Sequence, residues 1–181
     1  APVPFCKKFL EGTDILCDAA VGFPLGQSTI ETKVFETQDV IKKGAGEVDY
    51  VINIVEVKNS NWDYIEDEMK RIVNVCNENN VVSKVIFETC YLTDEEKIKI
   101  CEIASKVRPT FVKTSTGFGT GGATVEDIKL MKKCVGDDIK IKASGGIRTV
   151  EDALSMIEAG ARRLGTSQGV KIIEEYKLRF K

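Results

Sequence analysis

The sequence predicts an α/β protein, a parallel β/α barrel of which this chain carries about six of the eight units. Three observations predict it. Short apolar runs alternate with amphipathic stretches from one end to the other, Gly or Ser/Thr marks nearly every changeover, and ionisable residues share one parity in four successive runs. Short β-rich runs alternating with helices give a parallel sheet with right-handed crossovers. Charges on its inner face point to a barrel with a site inside, because a packed centre would be apolar.

The units follow in order. Residues 15–22, 47–53, 83–89, 110–116, 139–144 and 162–166 are the apolar runs, begun about one βα unit apart. The first leads to Ser28, Thr29, Ile30 and Glu31, which read as a capping box opening a helix. Gly44 behind that helix suits the left-handed closing position. After the second run, Ile65, Met69, Ile72, Val73 and Cys76 recur at helical spacing, the stripe of a core-facing helix. After the third, Thr93, Asp94, Glu95 and Glu96 repeat the capping box. After the fourth and fifth, Thr124 and Thr149 each stand three residues before an Asp, which puts acid in the first turn, where the helix dipole favours it. Gly160 closes the helix between the fifth and sixth runs, and a terminal helix follows the sixth. No linker or low-complexity segment intervenes, so residues 1–181 read as a single, partial barrel domain.

Composition narrows the function. Charged residues make up 30% and hydrophobic ones 43%, an ordinary globular balance. A net charge of −2 offers no basic footprint for nucleic acid. No apolar stretch is long enough for a transmembrane helix, and the first residues, Ala1 to Pro4, do not read as a signal peptide, so the expectation is a cytoplasmic protein without membrane contact. Six cysteines occur without a C-x-x-C pair and read as buried, reduced thiols. Histidine is absent, which removes His-based triads and zincin sites and leaves acid–base work to Lys, Asp, Glu, Tyr or water.

The inner-face parity singles out the chemistry. If Lys113 points inward, so do Phe111 and Ser115; Lys142 goes with Lys140 and Ser144, Asp49 with Val51 and Asn53, and Lys84 with Ile86 and Glu88. Burial and a nearby cation both lower a lysine pKa. Lys142, one strand from Lys113, supplies that cation. A deprotonated Lys113 amine attacks a carbonyl to form a Schiff base, whose iminium is an electron sink for making or breaking a C–C bond. Asp49, with water or Lys142, is the candidate to shuttle protons; its other reading is a structural counter-ion. Glu88 reads as structural.

Three glycine loops open onto helix N-termini: residues 117–122, residues 144–148 with Gly145 and Gly146, and residues 165–169 with Gly165 and Ser167. Bare backbone N–H groups at such positions cradle an anion with help from the dipole, and barrels commonly hold phosphate after their last two strands.

These residues resemble those of the deoxyribose-phosphate aldolase family, class I (Schiff-base) aldolases with a TIM-barrel fold. The matching stretches are residues 21–26, 47–49, 85–89, 111–119, 142–148 and 165–167, in order along the chain. The resemblance implies reversible cleavage of 2-deoxy-D-ribose 5-phosphate to D-glyceraldehyde 3-phosphate and acetaldehyde. It implies Lys113 as the Schiff-base lysine, Lys142 as the second lysine that lowers its pKa, and Asp49 in the proton relay. It places Gly117, Gly145, Gly146, Gly165 and Ser167 at the phosphate and implies no metal and no cofactor.

Two departures are visible. Gln168 stands where many members carry a second Ser, and the stretches matching the first two strands are absent. Open parallel edges near Ile15 and Leu164 invite pairing. Three arrangements stay open: edges closed by rearrangement or by a second copy in a homodimer, an N-terminal piece supplied separately or left out, or a naturally shortened, weakly active form. The rival functions are another phosphate-binding barrel lyase or isomerase, and a non-catalytic fragment that binds a phosphosugar or a partner.

Overall fold

The computed structural model describes residues 2–180. Six strands form one parallel sheet in sequence order: β1 (Asp18–Val21), β2 (Glu47–Val51), β3 (Val82–Ile86), β4 (Phe111–Lys113), β5 (Lys140–Ser144) and β6 (Arg163–Gly165). Five of the predicted runs contain one strand each, and β3 begins one residue before the third run, at Val82. A short helix α1 (Val3–Phe9) precedes β1, and α2 (Ile30–Lys42), α3 (Ile54–Lys58), α4 (Trp62–Glu78), α5 (Asp94–Val107), α6 (Val125–Val135), α7 (Val150–Ala159) and α8 (Gly169–Arg179) follow the strands. The long helices pack side by side, α2 on α4, α4 on α5, and so on to α7 on α8.

The sheet curls. In a flat sheet, β1 and β5 would stand roughly 19 Å apart at about 4.8 Å per strand. Instead Asp18 on β1 reaches Lys142 on β5 at 3.3 Å. The two faces divide as the parity predicts. Val48, Tyr50, Val85, Val112, Ile141 and Ala143 join Ile65, Met69, Ile72, Ile100 and Ile128 of the helices in one buried core. Val51, Ile86 and Phe111 are buried too but lie apart from that core, on the inner face. The full predicted stripe on α4, Ile65, Met69, Ile72, Val73 and Cys76, is buried.

Caps set the helix starts. Thr93 and Glu96 form a reciprocal capping box, as do Thr149 and Asp152; Thr124 accepts from the Asp127 N–H. The first helix corrects the sequence expectation by one residue: Thr29, not Ser28, is its N-cap and accepts from the Thr32 N–H. Glu31 pairs with Arg71 of α4 at 2.8 Å. A second correction concerns Asn53. The strand stops at Val51, and Asn53 caps α3, its side chain accepting from the Glu56 N–H instead of entering the interior.

Candidate active site

Strand register sets the layers of the interior. Asp49 lies level with Lys84, and Lys113 level with both Ile86 and Lys142. The two lysines on β4 and β5 therefore stand one layer nearer the carboxyl ends of the strands than Asp49, whose carboxylate reaches up between them. Lys113 Nζ and Lys142 Nζ donate to the same Asp49 oxygen, Oδ2, the second at 2.8 Å. Lys142 also donates to Asp18 at 3.3 Å. Lys84 sits 2.6 Å from Glu47, 2.9 Å from Asp49 Oδ1 and 3.1 Å from Asp18. Arg163 on β6 completes the set by pairing with Glu47. Lys113, Lys142 and Asp49 are all buried.

The charges do not balance if every group is ionised: Lys84, Lys113, Lys142 and Arg163 face Asp18, Glu47 and Asp49. The set carries one positive charge more than it has negative ones, and the surroundings set which amine loses its proton most readily. Burial, the largest effect, pulls the Lys113 pKa down; Asp49 opposes this and Lys142 adds to it, and the balance lies below the ordinary lysine value. Lys84 is desolvated too, yet its carboxylates win and hold it above that value. Burial works against the Asp49 carboxylate, but Lys113, Lys84 and Lys142 together hold it below the usual carboxylate range. The arrangement thus offers one amine prone to lose its proton beside one carboxylate that keeps none.

The glycine loops meet above this layer. The Ala123 N–H donates to the carbonyls of Ser144 and Gly145, both at 3.1 Å, and a Cβ at Gly122 would lie 2.4 Å from the Gly145 carbonyl, so only glycine lets the two loops touch. Gly165 faces Ser144 and the Lys142 alkyl chain, leaving no room for a side chain. Thr166 Oγ1 donates to the Ile147 carbonyl at 2.6 Å and ties the third loop to the second. Gly117 and Gly146 border open space, and Ser167 is exposed in the turn before α8. The three helix N-termini differ. Thr124 and the Thr149–Asp152 box cap α6 and α7 with their own side chains, whereas α8 has no side-chain cap and no acid in its first turn. The start of α8, with Gly165 and Ser167, is therefore the N-terminus left free for an anion. Glu88 has the structural task expected: it adopts a left-handed backbone (φ 44°) and accepts from the Thr116 N–H and hydroxyl, pinning the loop after β4.

Sequence reasoning missed Asp18, Glu47 and Arg163 and left Lys84 without a role, although its inward parity was visible. It also missed Phe23, whose ring centroid lies 5.6 Å from Lys113 Nζ. No cluster of metal-ligating side chains occurs among the described residues.

Comparison with known proteins places this geometry. Residues 11–175 match the family described as DeoC/LacD family aldolase. The chain belongs to the DeoC/LacD aldolases. It is 59% identical to the deoxyribose-phosphate aldolase of Lactobacillus acidophilus over 177 residues, which is 98% of this chain and 75% of that protein. It is 56% identical to the deoxyribose-phosphate aldolase of Caldanaerobacter subterraneus subsp. tengcongensis, over 97% of this chain and 76% of that one. Among solved structures it resembles QR15, an aldolase, with a TM-score of 0.91 at 40% identity, covering 98% of this chain and 79% of the other. A tetrameric deoxyribose phosphate aldolase from Aeropyrum pernix matches with a TM-score of 0.87 at 30% identity, over 97% of this chain and 74% of the other. As a DeoC/LacD aldolase, the chain is a carbon–carbon lyase on a TIM-barrel-type fold, and its six strands form a curled, partial barrel of that type.

Proposed function

We propose that this chain cleaves 2-deoxy-D-ribose 5-phosphate reversibly to D-glyceraldehyde 3-phosphate and acetaldehyde through a Schiff base on Lys113. The observation that carries the reading is the buried Lys113 amine, held below the ordinary lysine range and sharing one carboxylate oxygen with Lys142. The neutral amine attacks the aldehyde carbon of the open-chain sugar, and loss of water leaves an iminium. The C3 hydroxyl gives up its proton and the C2–C3 electron pair moves into the iminium. D-glyceraldehyde 3-phosphate departs and an enamine remains. Protonation at C2 and addition of water release acetaldehyde and restore the amine. Asp49 and Lys142, both in contact with the Lys113 environment, carry the protons between these steps. Gly117, Gly145, Gly146, Gly165 and Ser167 hold the phosphate, supported by the open N-terminus of α8.

Borohydride reduction in the presence of acetaldehyde tests this directly: it adds an ethyl group to Lys113, read by peptide mass. Turnover of the sugar phosphate without any adduct at Lys113 would overturn the mechanism. We also propose that the protein works in a reducing, cytoplasmic setting, as its six free thiols favour. No described helix is long and apolar enough to cross a membrane. Among the described residues β1 and β6 each have one side without a paired strand, and we propose that two copies of this chain associate there, which sedimentation velocity resolves.

A further inference from the structure

The loop after β1 is fixed more firmly than a surface turn requires. The Gly22 N–H donates to Glu36 Oε2 at 2.9 Å, and the Gly26 N–H donates to the Gly22 carbonyl at 2.8 Å. Gly26 has φ +67°, and a Cβ there would lie 1.9 Å from the Ile52 carbonyl oxygen, so the loop is pressed onto the end of β2. The Lys33 alkyl chain packs under Gly22, and Lys33 is itself fully buried, 2.6 Å from Glu68 and 2.8 Å from the Val51 carbonyl. This frame presents Phe23 as a roof over the Lys113 amine.

Resting on the aldolase reading above, we propose that Phe23 is a specificity-determining residue that favours aldehydes over ketones as the carbonyl compound bound on Lys113. The space decides it. The ring centroid is 5.6 Å from Nζ. With one substituent of the planar iminium carbon turned at the ring, the C=N bond projects only about 0.7 Å along that line, half its length, and contact with the ring face needs about 3.5–4.0 Å. About 4.9 Å then remains for the substituent that the iminium carbon turns at the ring. An aldehyde-derived iminium carbon can turn its hydrogen to the ring and send its chain sideways toward the glycine loops. A ketone-derived one must turn a second carbon to the ring; at about 1.5 Å from the iminium carbon it leaves about 3.4 Å, just inside the contact distance.

The test compares acetaldehyde with acetone as donors to D-glyceraldehyde 3-phosphate in the unaltered chain, in Phe23→Leu and in Phe23→Ala. Phe23 is half-buried on a loop, so both variants keep the core. One carbon in an apolar pocket discriminates by about 10–200-fold. The kcat/KM preference for acetaldehyde should therefore drop by about tenfold or more in Phe23→Ala, with Phe23→Leu between. Borohydride should fix acetone on Lys113 in the alanine variant. An unchanged donor ratio overturns the proposal. So does a shift in the pH midpoint of acetaldehyde trapping with the donor ratio held, since Phe23 would then act as a cation–π partner of the ammonium. Failure of the unaltered chain to form an acetaldehyde adduct would instead refute the aldolase reading, and this inference with it.

Discussion

At the scale of residues, the site turns on which of three lysines gives up its proton. Lys113 is pulled down by burial and by Lys142 and pushed up by Asp49. The two neighbours therefore make opposite predictions for one measurable midpoint. Lys142→Met removes the cation and leaves Asp49 Oδ2 to Lys113 alone, so the Lys113 pKa rises. The acid limb of acetaldehyde trapping should move to higher pH, and the rate at neutral pH should fall. Asp49→Asn removes the carboxylate that favours the ammonium, so the same limb should move to lower pH. Turnover of the sugar phosphate should still drop by about 10²–10⁴-fold, because the proton carrier is gone. Trapping over a pH series with peptide mass detection measures both, and midpoints moving the same way in the two variants would contradict the assignment. Lys113, Lys142 and Asp49 were legible in the sequence because strand parity is local: a residue two positions along a strand points the same way. Asp18, Glu47 and Arg163 were not, because their roles arise from contacts across the interior. Asp18 meets Lys142, and Glu47 meets Arg163, from strands far apart in sequence. Phe23 was hidden for the same reason, since nothing local says that the loop after β1 folds over β4.

At the scale of elements, the apolar runs and the Thr-led helix starts held because each depends on a few adjacent residues. The errors lay where two local signals competed. Ser28 and Thr29 both suit an N-cap, and the packing of Glu31 against Arg71 goes with the second. Asn53 continues the strand parity but also caps well, and Glu68 decides the contest by accepting its backbone N–H at 3.0 Å. The Lys33–Glu68 pair thus joins α2, α4 and the end of β2, two residues beyond Asp49. Breaking one partner of a buried pair leaves an uncompensated charge, so Lys33→Met or Glu68→Leu alone should cost about 3–5 kcal/mol in urea unfolding. The double variant should recover much of that loss. Equal losses in singles and double would show that the pair does not act as a unit. The loops after β4 and β5 make the parallel case. Gly122→Ala should force them apart, raising KM for 2-deoxy-D-ribose 5-phosphate by about tenfold or more. Initial rates with unphosphorylated 2-deoxy-D-ribose should stay unchanged, which separates a displaced phosphate cradle from a damaged amine site.

At the scale of the whole molecule, the curled sheet is joined through charges. Ion pairs run across its hollow face from β1 to β5, from β2 to β6 and between β3 and both β1 and β2. Such pairs contribute little net stability while intact, because desolvation offsets their attraction, but they make the fold depend on pH. Burial opposes ionisation of Glu47 as it does of Asp49, yet Arg163 and Lys84 hold Glu47, and the lysines hold Asp49, below the ordinary range. A folded-state pKa below the unfolded one means that the unfolded chain binds more protons as the pH falls past about 4, so stability is full above that point and is lost below it. Glu68 has the opposite sign: burial outweighs Lys33 and raises its pKa, so acid favours its folded form. Among the buried carboxylates with displaced pKa values two stand against one. At the surface Glu31, Glu102, Asp137, Glu151 and Asp152, each held down by an ion pair or hydrogen bonds, shift the same way as the two. Urea midpoints measured between neutral pH and pH 3 should fall steeply for the unaltered chain. In the Glu47→Gln, Asp49→Asn double variant the neutral-pH midpoint should start lower, because two interior charges are gone, and decline more gently with acid. Curves of equal slope would mean that acid acts elsewhere than on the charged hollow of the barrel.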